Sequence, residues 1–268
     1  MPAPRSQPSR LPDPDGVAPV KTAARILLLL ALGLALAPGS PLDTMRALGF
    51  GLDPQRSLHS FFLAGEPMPI EARKVGIYGG FGLAAGWLAW RRSRATRLQS
   101  AAVYAVALAG IAIMAADGTN ALFFDLGLPH LYAPRLDLRV LTGLAAGLGM
   151  ATLLWPVWAQ AAWRSPQGLI GLRDLAAPAG LGIVTIVGLI GGQAWLMIPV
   201  SLVATGGLVT VVALLNGVLL LVALRREATA DGWRDLLDVA TLALVMAVLE
   251  LLALATLRYA LIGTTPLP

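Results

Sequence analysis

Thirty-one consecutive residues, Ala194 to Leu224, carry no charged side chain. A helix of about 20 apolar residues already crosses the hydrocarbon core of a bilayer. This run is therefore long enough to span, and it is not alone. Apolar stretches recur at Ile26–Ala37, Ile70–Trp90, Leu98–Ala116, Leu138–Trp158, Leu175–Ile190 and Leu236–Leu257. Short charged or Gly-rich segments separate them. The expected fold is all-α, a polytopic membrane protein with about seven transmembrane helices plus short interfacial helices. Composition agrees. Only 13% of the residues are charged, about half the share of an ordinary soluble domain.

Residues 1–20 hold six prolines and no apolar period. Residues 1–21 are expected to form a disordered N-terminal tail, followed by a single transmembrane domain over 22–268. Ala35-Leu36-Ala37 resembles a signal-peptidase site, but Pro38 directly after it disfavours cleavage, so the first helix is expected to stay. Ser40-Pro41-Leu42-Asp43 reads as a helix start, with Ser as N-cap and Pro in the first turn. Leu42, Met45, Leu48 and Phe50 mark its apolar face, and Gly49, Gly51 and Pro54 end it. So short a piece would lie at the interface.

Lys and Arg fix the expected orientation. With the N-terminus inside, thirteen of the twenty fall on the inner side: Arg5, Arg10, Lys21, Arg25, Arg91, Arg92, Arg94, Arg97, Arg164, Arg173, Arg225, Arg226 and Arg234. Seven fall outside: Arg46, Arg56, Arg73, Lys74, Arg135, Arg139 and Arg258. The excess predicts an N-in, C-out orientation with seven spans. The net charge of +5 then reflects headgroup contact and not nucleic-acid binding. Cysteine is absent, which excludes disulfides, thiol zinc sites and iron–sulfur clusters.

This topology puts two polar segments, 53–74 and 117–139, on one outer face. Charges at the mouth of a membrane helix are costly and usually have a task. Arg56, Glu71, Arg73, Lys74, Asp117, Asn120 and Arg139 can form one outer pocket there, with Tyr78 donating from below. Arg forks suit bidentate phosphate binding and Lys adds a point charge. The candidate ligand is an anionic small molecule or a lipid headgroup. Glu71 or Asp117 can then serve as a general base or metal ligand. The competing reading is a set of structural ion pairs tying two outer loops together. His59, His130, Asp117, Asp125, Glu66 and Glu71 lack metal-ligand spacing, so no metal and no cofactor is expected.

Glu250 is a separate feature. It stands near the middle of the seventh helix, with Asn216 of the sixth as a candidate partner. Gly82-x-x-x-Gly86 and Gly143-x-x-x-Gly147 predict close packing of the second and fourth spans.

Two segments carry a family resemblance. Arg56-Ser57, Phe61-Phe62, Gly65, Pro69, Arg73 and Gly76-Ile77-Tyr78 make up the first. Asp117-Gly118 and Leu138-Arg139-Val140-Leu141-Thr142-Gly143 make up the second. Both resemble a family of predicted bacterial and archaeal membrane proteins, the domain of unknown function 2085. The likeness covers about the first 150 residues, with the motif-bearing part at 40–149. It implies the fold and the position of the site, and no reaction. Two family cysteines fall on Glu71 and Lys74, and an upstream Cys-His pair has no Cys here. Glu71 and Lys74, three apart on a helix, can form an ion pair where a cysteine pair stood.

Three functions stay open: an anion- or headgroup-binding protein with enzymatic activity undecided, a proton-coupled or small-solute transporter using Glu250, and a structural subunit of a membrane complex. Partners would be membrane lipids, an anionic small molecule or another membrane protein, with no nucleic acid.

Overall fold

A computed structural model describes residues 39–263, together with Thr22, Arg25, Ile26, Leu28, Leu29 and Gly33. The expected tail and most of the first apolar segment lie outside the described residues. Seven helices follow in chain order: α1 (Pro41–Phe50), α2 (Ala72–Arg91), α3 (Ala101–Asp125), α4 (Leu136–Ala162), α5 (Leu172–Ile190), α6 (Met197–Ala223) and α7 (Leu237–Ile262). The helices α2 to α7 run alternately up and down.

Five of these helices are long and apolar enough to cross a membrane: α3, α4, α5, α6 and α7. The expected count of seven spans is therefore not reached among the described residues. The second expected span is present as α2, but its five glycines and the Arg73-Lys74 pair make it less apolar. It gains its place by packing instead. α2 lies against α4, α5 and α6, and Phe81, Ala84 and Leu88 on it are fully buried. On the outside of the bundle, by contrast, large apolar side chains are exposed, among them Leu108, Ile113, Val184, Val187 and Leu219. That is the surface lipid requires.

Glycines let α2 and α4 meet backbone to backbone. A Cβ at Gly143 would collide with the carbonyl of Arg73, and one at Gly147 with that of Ile77. On the facing side Gly76 and Gly80 abut Val140 and Leu144. The expected pairing is thus right for α4 and wrong for α2. Gly82 packs instead on Val203 and Gly207 of α6, and Gly86 meets nothing. Six residues separate Gly76 from Gly82, which at 3.6 residues per turn carries Gly82 to another side of the helix.

α1 forms as its sequence predicts. Ser40 caps it, and the Asp43 carboxylate accepts from the Ser40 backbone N–H at 2.9 Å in return. Its Met45 and Phe50 are buried against the bundle, and it packs across α6 and α7. A two-residue hairpin, β1 (Phe62–Leu63) with β2 (Glu66–Pro67), covers the same end. At the opposite end the loops are stitched together. β3 (Arg97–Leu98) pairs in parallel with β4 (Leu169–Ile170), and the indoles of Trp155 and Trp163 donate to the carbonyls of Arg92 and Ser93.

Candidate functional site

The charged residues of the two polar segments gather where α2 begins. Glu71 occupies the position before its first turn, but its side chain does not cap the helix. Asp53 does related work from the preceding loop. Its Oδ2 accepts the Glu71 backbone N–H at 2.7 Å, and its Oδ1 accepts the Gln55 N–H at 3.1 Å and Lys74 Nζ at 3.0 Å. An anion there also complements the positive end of the helix dipole. The Asp53 side chain is only 2% exposed. Burial pushes its carboxyl up from the usual range, while Lys74 pulls it down.

Glu71 turns the other way. Its Oε1 accepts the Arg56 backbone N–H at 3.0 Å and Arg56 Nε at 3.4 Å. Lys74 therefore pairs with Asp53 and not with Glu71, contrary to the expected ion pair three residues along the helix. The helix geometry permits that pair, but each partner finds a nearer one in the loop 52–56. Arg56 also reaches Asp125 at 3.4 Å, which ties the loop to the end of α3.

Asp117 and Asn120 were expected in a polar loop beginning at 117. They lie instead inside α3, which continues to Asp125. The helix tolerates them because each is satisfied by tertiary partners. Arg73 Nη2 donates to Asp117 Oδ2 at 2.6 Å, and the Tyr132 hydroxyl donates to Asp117 Oδ1 at 2.8 Å. That bond pushes the Tyr132 phenol up. Asn120 accepts the Leu131 N–H at 2.8 Å and donates to the Tyr132 carbonyl at 2.9 Å. It fastens the loop after α3 back onto the helix.

Arg139 differs from every other cation in the group. It sits in the first turn of α4 and is only 5% exposed. Arg56, Arg73 and Lys74 each reach a carboxylate within 3.4 Å. The Arg139 guanidinium makes no hydrogen bond or ion pair among the described residues; only its backbone takes part in such bonds. Two buried polar atoms are left over nearby, Arg73 Nε and His59 Nδ1.

His59 is held neutral near pH 7. Burial first, then the charges of Arg139 and Arg56, lower it to about 4. The 3.7 Å approach of His59 Nδ1 to Glu71 is accordingly not an ion pair at neutral pH. His130, by contrast, lies on the exposed loop after α3, its Nδ1 3.0 Å from the Leu128 carbonyl oxygen. Glu66 is in the hairpin, 3.9 Å from Arg46.

Tyr78 makes no side-chain hydrogen bond to this group among the described residues. It is one turn below Lys74, where it packs against apolar residues between α6 and α7. An apolar cleft of about 250 Å³ also opens between α2, α4, α5 and α6, lined by Val75, Val140, Leu144 and Trp195 among others. None of the charged residues lines it. Glu250 and Asn216 meet far from the cluster. Asn216 Nδ2 lies 3.1 Å from Glu250 Oε1 and 3.2 Å from Oε2.

The residue that sequence reasoning passed over is Asp53. Its signal was present: an acid two residues after Gly51 and just before Pro54, in a turn leading to Arg56.

The segment that supplies this cluster is also the segment with a known pattern. Residues 54–153 match the family model of DUF2085, a predicted membrane protein. The DUF2085 match runs from the covering loop through α2 and α3 and into α4. It takes in Arg56, Glu71, Arg73, Lys74, Asp117 and Arg139, and stops one residue short of Asp53. No curated protein and no solved structure matches the chain.

Proposed function

We propose that the cluster at the start of α2 binds the anionic group of a small molecule or lipid headgroup at the outer face of a bacterial inner membrane. The observation that carries this reading is Arg139. Its guanidinium has no hydrogen-bond or ion-pair partner among the described residues and is therefore available to a ligand, whereas three neighbouring cations are already matched by carboxylates. A phosphate or carboxylate oxygen would complete its hydrogen bonds, with the free Arg73 Nε alongside. Bidentate geometry at Arg makes such contacts stronger than neutral ones.

The test compares wild type with Arg139→Gln in neutral detergent, reading the thermal midpoint. Inorganic phosphate is titrated in one arm, and phosphatidylglycerol in mixed micelles in the other, with phosphatidylcholine as control. Stabilisation by phosphate alone marks a soluble anion, and by phosphatidylglycerol alone a headgroup. Loss of a charge-assisted bond is expected to weaken binding about tenfold or more. Without ligand, Arg139→Gln is expected to be as stable as wild type or more so. A destabilised Arg139→Gln, with no response of wild type to either anion, would overturn the reading in favour of a structural ion-pair network.

A second reading, a subunit of a larger membrane assembly, has one observation in its favour. Glu250 lies on the exposed side of α7. The two readings concern different faces and are compatible.

A further inference from the structure

Glu250 stands thirteen residues from the start of α7 and twelve from its end, which puts it near the middle of the span. Asn216 is buried, but Glu250 is exposed, flanked by exposed Leu249, Ala253, Leu254 and Leu257. Its only partner among the described residues is the Asn216 amide, which approaches both oxygens. A carboxyl has about four acceptor sites, and lipid supplies no donor for those left over.

Among the described residues, the elements packed on α7 offer nothing more. α6 carries no charged residue over its whole length. On α7 itself the other charges are Asp238, about 18 Å away along the axis, and Arg258, about 12 Å away. Asp238 is already paired with Arg226. The turn Trp233–Leu236 contributes Arg234 and Asp235 at the far end of the helix. α1 contributes Asp43 and Arg46, which pair with each other.

We infer that this face of α7 docks a membrane-spanning helix of a different protein, one with a Lys or Arg near its midpoint that pairs with Glu250. Charge complementarity selects that occupant. The chain's own first apolar run, Ile26–Ala37, has no charged or amide side chain to offer. A second copy meeting α7 to α7 would set Glu250 against Glu250. Ala253, one turn from Glu250, leaves room for close approach, as small residues do between membrane helices. Pairing with an opposite charge is one of the ways in which intramembrane charges are accommodated.

The absence of cysteine allows a clean test. A Tyr259→Cys background, at the exposed end of α7, is labelled with an acceptor dye and reconstituted in phosphatidylcholine vesicles. The probe is a donor-labelled polyleucine transmembrane peptide carrying one mid-span Lys; the control peptide has Leu there. The Lys peptide is expected to associate about tenfold more tightly than the Leu peptide, and Glu250→Gln is expected to abolish the difference. Gln is close to Glu in shape and can still bond Asn216, so folding is retained. Equal association of the two peptides with wild type, or a preference that survives in Glu250→Gln, would overturn the inference and leave the pair as a clamp between α6 and α7.

Discussion

Glu71 and Glu250 are the same residue in two unlike settings. Glu71 is buried at a helix mouth and receives two donors from Arg56, with His59 close by. Around it every carboxylate has a cation in reach. Glu250 lies at mid-span on the outside of the bundle and receives one neutral amide. The first glutamate belongs to a network whose charges mostly cancel, so removing a member leaves an orphan. The second has no network among the described residues, so removing its charge orphans none of them. A buried charge is judged by its neighbours more than by its burial.

Several substitutions break or sharpen this contrast. The largest effect is expected at the α2–α4 contact that assembles the network. Gly147→Leu would drive a side chain into the Ile77 carbonyl. A loss of about 3 kcal/mol or more is expected, read as loss of the monodisperse peak in size-exclusion chromatography. Asp117→Ala comes next. It strips Arg73 and the Tyr132 hydroxyl of their acceptor, and a cost of about 3 kcal/mol is expected for a broken buried pair. Thermal unfolding in detergent would show it, and an unchanged midpoint would mean that the network is not structural.

Acid should act on the network through His59. Folded, this side chain takes up its proton only at about 4, against an ordinary value of 6.5. Between those values the unfolded chain binds more protons, so stability falls as pH is lowered from 6.5 towards 4. The difference between wild type and His59→Gln isolates this contribution, because the opposite influence of Asp53 is common to both. Parallel pH–stability curves for the two proteins would refute it. Asn120→Ala should cost about 1 kcal/mol and speed proteolysis of the loop after α3. The smallest effect is expected at the other glutamate. Glu250→Gln should change the stability of the isolated protein by no more than about 0.5 kcal/mol.

How much of this was legible in the sequence depends on range. α1 could be read residue by residue, because capping by Ser40 and the turn at Gly51 are local. The glycine pair on α4 was visible as a repeat. Its counterpart was not, because two glycine pairs lie on different sides of α2 and nothing local says which side faces α4. Asp117 and Asn120 looked like loop residues since polar side chains usually end an apolar run. Arg73 and the loop backbone at Leu131 and Tyr132 satisfy them, and α3 carries on for two more turns.

The sequence by itself determined that the chain is a membrane protein, where its polar segments lie, and which residues are candidates. Those follow from hydrophobic run length and from charge position, which are properties of the chain as a string. Only the tertiary structure decided who pairs with whom. Lys74 went to Asp53, Glu71 to Arg56 and Arg73 to Asp117, and the Arg139 side chain was left without a partner among the described residues. Pairing depends on how close helices approach and how they are rotated, and the backbone contact at Gly76, Gly80, Gly143 and Gly147 sets both.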